Sequence, residues 1–190
     1  TVYRTVAYFT TAQRNPNYSE NWSTDQEYEA QFVDVATGDV EVIPVSATWY
    51  KGAKAGGYYD ITDELNGNET YDPISVPLKG VTYGDYVFMD NQAAFKSGTQ
   101  KVENGNEDVY FDNESVTFVI ARGAGNSLDV DVVTGTDGLI ESFQDYYNNS
   151  AIKQVNLAKM VALTVDNDGS TNVASVIFAY DGNLSAEGGV

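Results

Sequence analysis

Apolar and polar residues alternate with a period of two in separate short stretches of this chain, and each stretch ends at a Gly- or Asn-rich break. Val116, Phe118 and Ile120 alternate with Thr117, Val119 and Ala121. After Arg122–Ser127, a turn carrying Gly123 and Gly125, Leu128, Val130 and Val132 alternate with Asp129, Asp131 and Val133. Successive side chains of a strand point to opposite faces, so this period specifies strands, and a turn between two such runs specifies a hairpin. Glu27–Ala36 and Asp39–Val45, joined at Thr37-Gly38, form a second hairpin in which Val33 and Val35 are placed to face Val40 and Val42. Lys159–Val165 and Val173–Tyr180 flank Asp166–Thr171 as a third. Further strands are expected over Thr1–Thr11, Tyr58–Thr62, Ile74–Leu78 and Tyr83–Met89. Composition agrees: 23 Val, 16 Thr and 14 Tyr favour strands, while 17 Gly and 16 Asn supply turns. One segment departs. Leu139, Ile140, Phe143, Tyr146 and Tyr147 recur at helical spacing, with Asp137 as the candidate N-cap. The expectation is an all-β chain of antiparallel hairpins forming a sandwich or barrel, with at most one short helix.

At 190 residues the chain is one large domain or two small ones. A chain of this size buries roughly 70% of its unfolded surface and needs no disulfide or metal to fold. Lys96–Asp108 has no sustained apolar pattern and holds the breakers Ser97-Gly98 and Asn104-Gly105. It is the expected boundary between two packed β-units, 1–105 and 106–190, unless the whole is one domain. The first unit carries a long polar loop over residues 13–26. The chain begins at Thr1, inside an expected strand, and so reads as a processed form or an excised fragment. No apolar run approaches the ~18 residues of a membrane span.

The charges are 28 acidic against 10 basic, a net of −18, and there is no histidine and no cysteine. Those absences exclude a Ser-His-Asp triad, a cysteine nucleophile, a histidine base and a Cys/His zinc site. The negative field repels phosphate backbones and anionic bilayers, so neither nucleic-acid binding nor membrane insertion is expected.

What chemistry remains belongs to carboxylates and aromatic rings. Glu27 and Glu29 share one strand face, as do Asp129 and Asp131, but no motif singles out a pair for glycoside hydrolysis, and such pairs ordinarily decorate a wet face. Asp166-x-Asp168-Gly169 resembles the start of a calcium loop, with Ser170 available as a third ligand. Its twelfth position is Ile177, inside a strand, which excludes an EF-hand and leaves a hairpin turn or a weak surface site. No metal and no cofactor are assigned. Tyr18 and Trp22, in the polar loop beside Glu20, Asn21 and Asp25, are the best ligand-facing residues, a platform on which a sugar ring can stack. The competing reading is that Trp22 folds back onto the core. Six N-x-S/T sequons, beginning at Asn17, Asn21, Asn68, Asn113, Asn148 and Asn183, are read as coincidence in a chain rich in Asn, Ser and Thr. Seven Lys and 16 Asn permit a Lys–Asn isopeptide cross-link, for which the sequence gives no geometry.

Three pieces in order carry a family resemblance: Ala30–Val35 running through Thr37–Val42; Ser115–Ile120 followed by Val130–Gly135; and Val161–Gly169 closing with Val173–Tyr180. Together they resemble the β-rich segments downstream of S-layer homology domains in cell-surface proteins of Firmicutes, over about residues 27–181. The resemblance implies a stalk or array module on a bacterial surface and brings no catalytic residue with it.

The expected function is therefore a non-catalytic structural module of an S-layer-type cell-surface protein, extracellular, at the cell wall or S-layer. Its partners would be neighbouring domains of the same protein or cell-wall polymers, and the isolated fragment would be monomeric. The alternative is a carbohydrate-binding or adhesin module using Tyr18 and Trp22. If Asp166–Gly169 is a plain turn, chelating divalent ions should leave the thermal midpoint nearly unchanged. A fall of many degrees restored specifically by calcium would show a metal site built from distant carboxylates.

Overall fold

Fifteen strands are identified in the computed structural model, which describes residues 5–19, 26–61, 73–76, 82–105, 108–165, 172–182 and 184. Two large sheets contain most of them. The first, sheet A, has the order β3-β2-β1-β4-β5, from β1 (Val6–Arg14), β2 (Tyr28–Asp34), β3 (Val40–Val45), β4 (Tyr58–Asp60) and β5 (Ile74–Val76), all antiparallel. Sheet B has the order β12-β11-β15-β14-β7-β6. Its strands are β6 (Thr82–Tyr83), β7 (Tyr86–Met89), β11 (Thr117–Arg122), β12 (Asp129–Thr134), β14 (Met160–Thr164) and β15 (Asn172–Tyr180). Short β10 (Val109–Tyr110) also pairs with β15, and β9 (Lys101–Val102) with β10. A separate two-stranded ladder joins β8 (Ala93–Lys96) to β13 (Gln154–Leu157). The fold is an all-β sandwich.

Period-two alternation decides how the layers stack. In β1, Val6 and Tyr8 face sheet B, while Ala7 and Phe9 face the opposite side, where the short helix α1 (Ala47–Gly52) lays Trp49 against Phe9, Phe32 and Tyr59. In β11, Val119 and Ala121 face sheet A, whereas Phe118 and Ile120 face a third apolar layer. That layer is closed by α2 (Gly135–Tyr147), through Leu139, Ile140 and Phe143, and by Phe95, Val155 and Leu157 of β8 and β13. The layer order is thus α1, sheet A, sheet B, then α2 with the β8–β13 ladder. Sheet B is covered on both faces, which explains why β7, β11 and β14 read as nearly unbroken apolar runs.

Several local expectations are corrected. β1 continues to Arg14, into the expected loop, with a register shift between Phe9 and Thr11. Tyr83–Met89 is not one strand but a tight hairpin, because Gly84 takes φ +62° and reverses the chain. Val33 does pair with Val40, but Val42 lies opposite Gln31, and Val35 sits in the turn. The helix begins at Gly135 with Thr134 as N-cap, so Asp137 lies inside its first turn, where a negative charge suits the helix dipole. Sheet B is mixed, since β10 and β11 run parallel to β15. The chain passes from sheet A to sheet B between β5 and β6, and β9 and β10, on either side of residue 105, pair with each other.

The centre of the inter-sheet layer is Phe178, fully buried, with its ring 5.4 Å from Tyr8 and 6.0 Å from Tyr58. Phe178→Ala should cost about 3–5 kcal/mol, since the sheets on both sides hold the cavity open. For a chain of this size that lowers the thermal midpoint by roughly 10 °C. Ile74→Thr, at a position more than half exposed, should change it little. Similar midpoints for the two variants in a calorimetric scan would contradict this layer order.

Candidate functional site

A cleft opens at the end of the inter-sheet layer where β1, β4 and β15 meet. Its volume is about 420 Å³, and Tyr8, Tyr58, Tyr180, Asn156, Lys159 and Asp181 are among its lining residues. Each tyrosine arrives from a different strand. Tyr8 stacks on Tyr180 at 5.0 Å and 20°, and meets Tyr58 edge-on at 5.3 Å. The Tyr58 hydroxyl donates to the Lys159 carbonyl at 2.8 Å, and the Tyr180 hydroxyl donates to the Gly123 carbonyl at 2.9 Å. The first bond ties sheet A to the segment leading into β14. The second holds β15 against the β11–β12 turn. Leu184 packs at the rim.

Burial raises the pKa of each of these phenols. Tyr8 goes well above its ordinary value, through desolvation first and the neighbouring Tyr180 second. Tyr58 is raised by complete burial and then by Tyr8. Tyr180 is raised by burial and by the charge of Asp181. The three remain neutral hydroxyls at physiological pH, and Tyr58 and Tyr180 are committed donors. Such groups hold structure or a ligand; they are not bases.

Behind the cleft lies a second cluster. Arg122, at the end of β11, is 3% exposed. Its Nε donates to Asp181 at 2.8 Å, and the Tyr147 hydroxyl donates to the same carboxylate oxygen at 2.7 Å. The guanidinium carbon sits 4.6 Å from the Phe143 ring centre and 4.3 Å from that of Tyr146. Its two terminal nitrogens are buried without a hydrogen-bond partner, so the aromatic faces are what they meet.

Two other carboxyl groups are enclosed. Asp34, the last residue of β2, is raised mainly by burial and accepts the Ala36 N–H at 2.8 Å. Asp60, 3% exposed, accepts the Tyr83 hydroxyl at 2.6 Å. Burial first, then the charge of Asp34, pushes Tyr86 up to about 12. Both carboxylates have a structural donor.

Of the residues singled out in the sequence, Tyr18 follows β1 half-buried, with the Arg14 guanidinium carbon 5.6 Å from its ring centre. Trp22, Glu20, Asn21 and Asp25 lie outside the described residues, as do Asp166, Asp168, Gly169 and Ser170. Glu29 accepts from the Gln13 side chain at 2.6 Å, Glu27 lies 4.0 Å from Arg14, and Asp131 accepts from Ser142. Among the described residues no group of three or more acidic side chains is placed to hold a metal ion. Trp49 lines a groove of about 820 Å³ beside α1, but its indole N–H donates to the Pro73 carbonyl at 2.8 Å and its ring packs on Phe9 and Tyr59.

The tyrosine cleft escaped the sequence, because Tyr8, Tyr58 and Tyr180 are far apart along the chain. Arg122 did leave a signal: a lone cation closing an apolar strand immediately before a glycine. Comparisons with protein-family models, with curated proteins and with solved structures found no match.

The tyrosines make alkaline stability the test of this cleft. Unfolded tyrosines ionise near pH ~10, whereas Tyr8, Tyr58, Tyr86 and Tyr180 hold their protons higher. The stability they contribute is complete below about pH 10 and is lost as pH rises towards and past about 12. Tyrosinate absorbance should show a late-titrating fraction that appears abruptly on unfolding. All 14 tyrosines titrating together near pH ~10 would rule out the cleft as described.

Proposed function

We propose that this chain is a non-catalytic structural module of a bacterial cell-surface protein of the S-layer type. It stands outside the cell, at the wall or S-layer, among neighbouring domains of the same protein. The observation that carries the reading is what the buried and half-buried polar groups do. Tyr58, Tyr180, Trp49 and Gln31 all hydrogen-bond to backbone atoms of other elements, and so brace the layers against each other. Asp34, Asp60 and Asp181 each accept from a structural donor. A net charge of −18 keeps such a module soluble when it is displayed densely, and the resemblance of its three hairpins to segments downstream of S-layer homology domains points the same way. The alternative is glycan binding at Tyr18 and Trp22, with the Arg14 guanidinium beside the Tyr18 ring.

An antibody raised against the chain should label intact source cells, and the protein should fractionate with the wall. The purified chain should turn over no glycosidase, esterase or peptidase substrate between about pH 5 and about pH 7, where carboxylates and raised carboxyls can act. Labelling only after permeabilisation would end the surface reading. Turnover abolished by a single Asp→Asn change would end the structural one.

A further inference from the structure

Among the described residues the sandwich is open along one side, where the terminal strand of sheet A, β3, and the terminal strand of sheet B, β12, come close. At one end of this side Gly38, just before β3, is so close to β12 that a Cβ on it would meet Val132 at 2.8 Å and Val130 at 3.1 Å. At the other end Val42 and Gln31 share a small cleft of about 180 Å³ with Gly125 and Asn126, from the β11–β12 turn. Val40 and Val42 lie on the same face of sheet A as buried Val33, and Val132 on the same face of sheet B as Val130, which packs into the inter-sheet core. Yet Val40 is 48% exposed, Val42 55% and Val132 51%. The inter-sheet core thus reaches the surface as a stripe of valines between two strand edges.

The two edges differ. Edge strands invite pairing unless something blunts them. β3 carries exposed Pro44, which has no N–H to donate to an added strand. β12 (Asp129–Thr134) contains no proline. Its side chains alternate in kind: Val130 and Val132 towards sheet A, Asp129 and Asp131 towards the α2 side. Residues paired across two strands project to the same face. A segment pairing with β12 would therefore set every second side chain beside valines, under Val40 and Val42, and the intervening ones beside carboxylates.

We propose that the edge of β12, which pairs with no further strand among the described residues, is a docking site for an extended segment of another protein in which apolar and basic residues alternate. Such a segment would extend sheet B by one strand, cover the exposed valines, and neutralise Asp129 and Asp131. A second copy of this chain is the less suitable occupant, because each copy carries 28 acidic against 10 basic residues. The proposal does not depend on where the protein is located.

The probe is the blocked peptide Lys-Val-Lys-Val-Lys-Val-Lys, titrated calorimetrically into the purified chain at physiological salt, where unspecific charge attraction is screened beyond about 8 Å. A second peptide replaces the central Val with Pro, keeping every charge but breaking the ladder. The alternating peptide should bind, the Pro peptide about tenfold more weakly. Val42→Thr with Val132→Thr should weaken the alternating peptide by a comparable factor while leaving the thermal midpoint nearly unchanged, since both side chains are half exposed. Amide exchange along β12 should slow only with the alternating peptide. Equal binding of the two peptides would reduce the site to charge alone and overturn the proposal, as would no binding at all. A dimer of the chain that Val132→Thr dissociates would give the edge to a second copy instead.

Discussion

The architecture depends on the aromatic contact between the two sheets. Phe178 of β15 touches Tyr8 and Tyr58 from sheet A, Tyr58 reaches across to Phe88 of β7, and Tyr8 stacks on Tyr180. Aromatic side chains bury large areas with defined ring geometry, so this contact fixes the spacing of the sheets as well as holding them. Its consequences propagate by period two. Once Phe178 faces sheet A, Ile177 and Ala179 must face the other way, and they do, into the layer covered by α2. The strands pairing with β15 then inherit the same division: Val119 against Phe178 from one side, Val161 from the other.

How much of this was legible follows from where each signal resides. β11, β14 and β15 were visible because a run of apolar β-formers between turns is a local property. So was α2, whose Leu139, Ile140 and Phe143 recur at helical spacing and are buried. The pieces that went unread are two to four residues long. β8 and β13 exist because Phe95 meets Val155 and Ala93 meets Leu157 across some sixty residues, which no local pattern records. β9 lies inside the expected boundary segment Lys96–Asp108 and β10 just beyond it, and neither shows a local pattern, although Val102 and Val109 are buried opposite one another. The parallel pairing of β11 with β15 was equally hidden: alternation tells that a strand forms and which side is wet, not which strand lies beside it. The aromatic loop illustrates the converse. Tyr18 and Trp22 stood out by composition, while the tyrosines that line the cleft are scattered through three core strands.

Among the described residues the acidic composition and the apolar interior are compatible because every carboxylate but Asp60 is exposed or half-buried. The enclosed ones follow one rule. Burying a carboxylate costs several kcal/mol unless donors replace the lost water, roughly 1.5–3 kcal/mol per charged hydrogen bond. Asp181 receives Arg122 and Tyr147, Asp60 receives Tyr83, and Asp34 receives the Ala36 N–H. In each case the donor comes with structural information: the β15 end fixed to α2, β4 to the β6–β7 hairpin, or a turn closed.

Arg122 shows the same logic from the cationic side and explains why one part of the molecule is closed while another is open. A buried guanidinium with two orphaned nitrogens is a poor source of stability compared with an apolar residue of similar size. Its geometry, however, is demanding. Nε reaches Asp181 beyond β15 while the guanidinium lies over the Phe143 and Tyr146 rings of α2, so it ties the helix to the ends of β11 and β15. The Tyr180 hydroxyl on the Gly123 carbonyl fixes the same corner from the other face of sheet B. Between β3 and β12 the valine stripe stays half exposed, although Gln31 ties sheet A to the turn before β12 through Gly125. Polar bonds that specify register gather at the β15 end and beside the β11–β12 turn; between them, among the described residues, the side of the sandwich is left with apolar surface and an unpaired strand edge. A fold braced at its corners can tolerate an open side, because the register of β12 is already set by β11 and does not need a further strand to define it.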